Sequence, residues 1–204
     1  MRDSVRSVFP SLSRQMEGSV SHLYLDTRDF VTAGIGCLAD PASLATAMPW
    51  KCIDGSPATR QEIFDEFGCI KSLKAGMTAD RYAKYCNLHL EDADIMSMCV
   101  AKADAFWLDV VKQFVSAESW PADAQLGILS MCYARGPYNF RSDYPHFSAA
   151  MDSEDWVRAA AQCHMNGCSA QRNTFTAACF EASSKYDDYD SVHVTIDASG
   201  IVRS

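Results

Sequence analysis

The chain has no apolar run approaching the ~20 residues that a membrane-spanning helix needs, so no membrane insertion is expected. Positive charge is scarce: 18 Lys and Arg stand against 26 Asp and Glu, for a formal net charge of −8. That balance argues against nucleic acid as a main partner. The start, "MRDSVRSVFPSLSRQ", has basic residues but no continuous apolar stretch, so no secretory signal is expected. No internal repeat is visible. Cys163 and Cys168 in "CHMNGC" read as a local disulfide or as half of a metal site. The five histidines are scattered and offer no second ligand pair, so neither metal nor cofactor is expected.

What is present is apolar residue. With 48% hydrophobic composition over 204 residues, the chain suits one globular unit of two lobes. A chain of this size buries roughly 70% of its extended surface, enough for a core without staples. The nine cysteines mostly fall inside helical apolar patterns. There a thiol acts as a small hydrophobe, so they read as reduced core residues.

A short helix is expected over 4–17. From Leu23 the apolar pattern alternates (Leu23, Leu25, then Val31, Ala33, Ile35) around the turn residues "DTRD", which predicts a hairpin. The stretch 38–57 is loop-like, with room for one helical turn. After it the sequence is helical. Thr59-x-x-Glu62 is a capping box. Ile95, Cys99, Ala103, Phe106, Val110 and Phe114 step by three or four along one amphipathic helix. "WPADAQLGILSMCYARG" is apolar on every side, as a central core helix is, and it should stop at Gly136-Pro137. Two more helices follow, in "SEDWVRAAAQCHMN" and "QRNTFTAACFEASS". Val192, Val194 and Ile196 alternate again, and "DASG" reads as a turn. The fold class is therefore α+β, mainly helical. It should have a small N-terminal α/β lobe over about 18–60 and a larger helical lobe over 61–185 that includes the N-terminal helix. Residues 186–204 form an extra tail or hairpin, and a cleft between the lobes is the default ligand site.

One stretch concentrates chemistry. "EGSVSHLYLDTRDFVTAGIG" carries Glu17 at a helix end, Asp26 in a turn and Thr32 on the following strand. A glycosidic bond breaks when its leaving oxygen is protonated and the oxocarbenium-like transition state is stabilised, the work of one protonated and one ionised carboxylate. Glu17 is the candidate buried acid, Asp26 the candidate ionised partner, and Thr32 a hydroxyl that could orient water. On spacing alone, a helix-end Glu, a turn Asp and a strand Thr also have a purely structural reading.

The whole string, E-G-x-x-x-x-x-Y-x-D-T-x-x-x-x-T-x-G-I-G, resembles the catalytic region of the lysozymes of T-even phages and their endolysin relatives. It is carried without a gap by Glu17, Gly18, Tyr24, Asp26, Thr27, Thr32, Gly34, Ile35 and Gly36. "LEDADIMSMCVAKADAF", "WPADAQLGILSMCYARG" and "QRNTFTAACF" resemble that family's long, central and last helices, so patches of about 10–184 are covered. The resemblance implies a lysozyme-like fold. It also implies hydrolysis of the bond between N-acetylmuramic acid and N-acetylglucosamine in peptidoglycan, usually with inversion. Glu17 falls on the general acid, Asp26 on the second carboxylate, Thr32 on the water-placing threonine and Arg172 on the arginine that pairs with the acid. Tyr133 and Ser130 fall on the central helix, where the family meets substrate.

The sequence departs from the family in three places. Cys37 stands where His commonly follows "GIG", the loop 38–57 is longer, and the tail after 185 has no counterpart. Such departures suit a secreted antibacterial effector as well as an endolysin. The expected site of action is the bacterial periplasm and cell wall, reached by a contractile secretion machine or a phage lysis system. Glycan strands are the expected partner, with an immunity protein implied for an effector, and a monomer is expected. Partly anionic peptidoglycan offers an acidic chain no long-range steering. Trp50, in the long loop, is a candidate sugar platform, whereas Trp107, Trp120 and Trp156 read as core. Asp187, Asp188 and Asp190 read as a solvated run. Two alternatives remain: a glycan-binding module without catalysis, and a cysteine amidase using Cys37 with His89 or His146.

Overall fold

A computed structural model describes residues 1–197 and 200–203. Helix α1 (Asp3–Glu17) leads into an antiparallel sheet of β1 (Val20–Leu25), β2 (Val31–Gly34) and β3 (Cys37–Leu38). The expected hairpin is present, and the turn Gly34-Ile35-Gly36 adds the third strand. Helix α2 (Ala42–Ala45), β4 (Lys51–Cys52) and α3 (Arg60–Lys71) follow. Short 3₁₀ turns at Ala79–Arg81 and Ala83–Tyr85 lead to β5 (Leu88–His89), which pairs with β4. The rest is α4 (Asp92–Gln113), α5 (Ala122–Arg135), α6 (Phe140–Asp143), α7 (Pro145–Asp152), α8 (Trp156–Gln162), α9 (Ala170–Ser183) and the hairpin β6 (Val194–Asp197)–β7 (Gly200–Arg203). The chain is thus α+β and mainly helical.

Two compact units divide it: Glu17–Cys99, and Met1–Met16 together with Val100–Ser204. The boundary falls inside α4 rather than near residue 60, where the hydropathy pattern changes. Residues 61–99 join the smaller unit because α3 packs against β1 and β2. The α3 capping box forms as expected: Thr59 Oγ1 accepts from Glu62 N, and Glu62 Oε2 accepts from Thr59 N at 2.7 Å.

The larger unit is built around α5, buried on every side from Ala122 to Cys132. Its closest neighbour is α9, and Gly127 permits the approach. A Cβ at Gly127 would stand 2.9 Å from the Phe180 ring and 3.1 Å from Cys179 Cβ. Trp107, Trp120 and Trp156 are core residues as expected, and Trp120 packs edge-on against Trp156 at 5.9 Å. The helices α6 and α7 carry no strong signal in the sequence. They are held by packing of Phe140 on Phe147 and of Phe147 on Phe180.

The tail is part of this unit, because β6 and β7 pack on α9. The connecting segment anchors it: Tyr189 O accepts from Ala122 N at 2.8 Å. Asp190 pairs with Arg2, and its carbonyl accepts from Ser4. The acidic run is therefore exposed but engaged. Of the expected "DASG" turn, Ala198 and Ser199 lie outside the described residues. All nine cysteines lie among the described residues and carry thiols, including Cys163 and Cys168.

Candidate functional site

The smaller unit gathers the quoted string. Glu17 is the last residue of α1. Gly18 follows with φ +75° and no atom within 4 Å of a built Cβ. Backbone conformation, not space, therefore asks for glycine there, and the chain turns at once from helix to β1. Asp26 follows β1 and organises the turn. Its Oδ1 accepts from the backbone N–H of Arg28 at 2.8 Å and of Phe30 at 2.9 Å. Its Oδ2 faces Arg28 Nε at 3.9 Å. Thr32 sits on β2 directly opposite Tyr24, and its Oγ1 donates to Phe30 O at 3.2 Å.

Tyr24 joins these groups. Burial raises its phenol pKa, and the nearby charges of Asp26, Glu17 and Cys37 raise it further. One tyrosine ring thus stands within electrostatic reach of both carboxylates. Tyr24 belongs to the string, and its place opposite Thr32 is a product of strand register.

The turn is braced from α3. Lys71 Nζ donates to Asp40 Oδ2 at 2.8 Å and to Asp29 O at 2.5 Å, and it stands over the Phe30 ring at 5.8 Å. The hydrogen bond from Lys71 lowers the Asp40 pKa.

Several expectations need correcting. Glu17 is exposed rather than buried, because a helix end followed by a glycine turn has little chain to cover it. Trp50 is no sugar platform. It is 2% exposed and its Nε1 donates to Ala45 O at 2.9 Å, so it anchors the long loop from within. Ser130 is buried, with Oγ 3.0 Å from Thr176 Oγ1, and holds α5 to α9 instead of meeting a ligand. Cys37 is buried, and its thiol donates to Ile35 O at 3.8 Å. Such burial limits a nucleophile's access.

In the larger unit, Arg172 lies in the first turn of α9, buried, with Nη1 donating to Ser130 O at 3.0 Å. Tyr133 is half-buried between Phe9 and Phe106, with Lys102 Nζ 3.9 Å from its ring centre.

A concave site in the smaller unit carries no signal in the sequence. A pocket of about 720 Å³ opens between α3 and the β4–β5 pair. The buried carboxylate of Glu66 forms part of its wall. In sequence Glu66 is one of several acids on an amphipathic helix, and nothing marks it out. No protein-family model matches the chain, and no curated protein matches it.

Proposed function

We propose that the protein is a muramidase with a lysozyme-like fold. It hydrolyses the bond between N-acetylmuramic acid and N-acetylglucosamine and so lyses bacterial cell walls. The observation that carries this reading is the unbroken twenty-residue string together with its layout: Glu17 at a helix end, Asp26 in the next turn, Thr32 across the strands, and Tyr24 close to both acids. Glu17 protonates the leaving oxygen. Asp26, its Oδ1 occupied by two backbone N–H groups, turns Oδ2 to the attacking water, and inversion follows. The enzyme works in the periplasm or cell wall, brought there by a secretion machine or a phage lysis system. In the first case an immunity protein is its natural partner.

Glu17→Gln tests this reading. A positioned general acid contributes on the order of 10²–10⁴ in rate. The folded variant should therefore leave purified peptidoglycan intact, while the parent releases fragments with reducing N-acetylmuramic ends, read by mass spectrometry. Near-normal digestion by folded Glu17→Gln would overturn the proposal. Cys37→Ala should keep most of the activity. Loss of digestion in that variant, with the fold intact, would favour an amidase.

A further inference from the structure

The turn after β1 is tight and strained. Asp26 N donates to Phe30 O at 2.9 Å, and Asp29 N donates to Asp26 O at 3.1 Å. These bonds close residues 26–30 into a loop in which Asp29 has φ +66°. That left-handed backbone suits glycine and is costly for a residue with a Cβ. The carboxylate of Asp26 depends on the loop, because its Oδ1 accepts from the Arg28 and Phe30 amides. The position of those amides therefore sets the direction of the carboxylate.

Two side chains from outside the loop grip it. Lys71 is the last residue of α3. Its Nζ donates to Asp29 O at 2.5 Å and to Asp40 Oδ2 at 2.8 Å. Asp40 Oδ2 in turn accepts from Val31 N at 3.3 Å. The pair thus holds the residue before Phe30 and the residue after it. Lys71 Nζ also stands over the Phe30 ring, at 5.8 Å, and Arg28 approaches the same ring at 5.6 Å. Phe30 itself is 42% exposed, so packing in the core does not fix it.

An exposed ion pair by itself contributes little to stability. This pair differs because each partner also binds backbone of the strained turn. Their mutual hydrogen bond lowers the Asp40 pKa and raises that of Lys71, so both stay charged at neutral pH. A brace that served the fold alone would leave the turnover of each folded molecule unchanged. A brace that aims a reacting group would not.

We infer that Lys71, acting with Asp40, is a positioning residue for Asp26, holding the strained turn in the conformation that presents Asp26 Oδ2 to the attacking water. The inference rests on the muramidase reading, in which Asp26 steers that water.

The test compares Lys71→Met with Lys71→Arg in the full chain. Methionine keeps a long side chain over Phe30 and removes the donors, whereas arginine restores charge and donors. Two readouts are taken on the folded proteins: NMR hydrogen exchange at the Arg28 and Phe30 amides, and steady-state digestion of soluble peptidoglycan fragments. In Lys71→Met, protection of both amides should fall roughly tenfold, the loss expected when one hydrogen-bonded support is removed. Its kcat should fall about ten- to a hundredfold with KM little changed, since displacing a positioned group by about 1 Å has an effect of that order. Lys71→Arg should recover most of both. Asp40→Asn is the second variant. It weakens the same grip from the other side and should lower amide protection and kcat in the same direction by a smaller factor.

Unchanged amide exchange in Lys71→Met and Asp40→Asn would show that the turn holds itself and would overturn the inference. Faster exchange with unchanged kcat would make the pair a brace of the fold alone and would overturn it equally. A parent protein that leaves the fragments intact would remove the muramidase reading and this inference with it. An active parent with equally active variants would remove this inference only.

Discussion

Asp123 and Glu66 are buried carboxylates on helices of different units, and one oxygen of each is held in the same way. Asp123 Oδ1 accepts from the backbone N–H of His193 at 2.9 Å and of Val194 at 3.3 Å. Glu66 Oε2 accepts from Asn87 and Leu88. Burial raises the pKa of both acids, and backbone donors lower it in both. The second oxygen separates them. Asp123 Oδ2 has His193 Nδ1 at 2.9 Å, and the imidazole stacks on Tyr186 at 4.1 Å. Glu66 Oε1 has none. A carboxylate satisfied on both sides pins two chain segments together, here the tail and the head of α5. A carboxylate held firmly on one side only keeps more of its burial penalty.

The largest expected effect comes from removing the fully satisfied group. Asp123→Ala should cost about 3–5 kcal/mol in urea-induced unfolding, because His193 and two backbone N–H groups lose their acceptor in the core. A loss under about 1 kcal/mol would mean that the tail is not held by this acid.

Next is His193→Ala, which converts the Asp123 site into a copy of the Glu66 site. Leaving Oδ2 unpaired should cost about 1–3 kcal/mol by the same measurement. An unchanged midpoint would show that water replaces the imidazole and would dissolve the contrast between the two acids.

The smallest effect has the opposite sign. For Glu66 the folded-state pKa lies above the unfolded one. Between the two values the folded chain keeps a proton that the unfolded chain has lost, so stability falls as pH rises through that window. Below the unfolded value both states are protonated and the penalty vanishes. Glu66→Gln removes the penalty. The variant should match the parent near about pH 3 and exceed it by up to about 1 kcal/mol near about pH 7. Asp123 adds a slope of the same sign to both proteins, so it cancels in the difference. Parallel stability curves for parent and variant would show that Glu66 carries no burial penalty.

Local signals in the sequence are borne out where the cause is local. The Thr59–Glu62 capping box needs only a four-residue spacing. The all-round apolar pattern of 122–132 leaves a helix no exposed face. The alternation from Leu23 to Ile35 requires paired strands. Glu17, Asp26 and Thr32 were legible as a set because they share one short contiguous string.

Exposure and partnership were not legible, because they depend on residues far along the chain. Trp50 looked like a loop aromatic until Ala45 O captured its indole N–H. Ser130 looked available until α9 brought Thr176 against it. The boundary between the units could not be read from a change in hydropathy, since α3 is helical in pattern yet packs on strands.

The sequence by itself determined most of the helices, the hairpin, the central buried helix and the placing of Asp26 and Thr32 on that hairpin, because propensity, periodicity and turn chemistry act over a few residues. Only the tertiary structure decided which acids lie buried and which of their oxygens find a donor. Asp123 and Glu66 are ordinary helix acids in the chain. Their difference comes from His193, seventy positions away, reaching one, while Asn87 and Leu88, at the start of β5, bring the other two backbone donors.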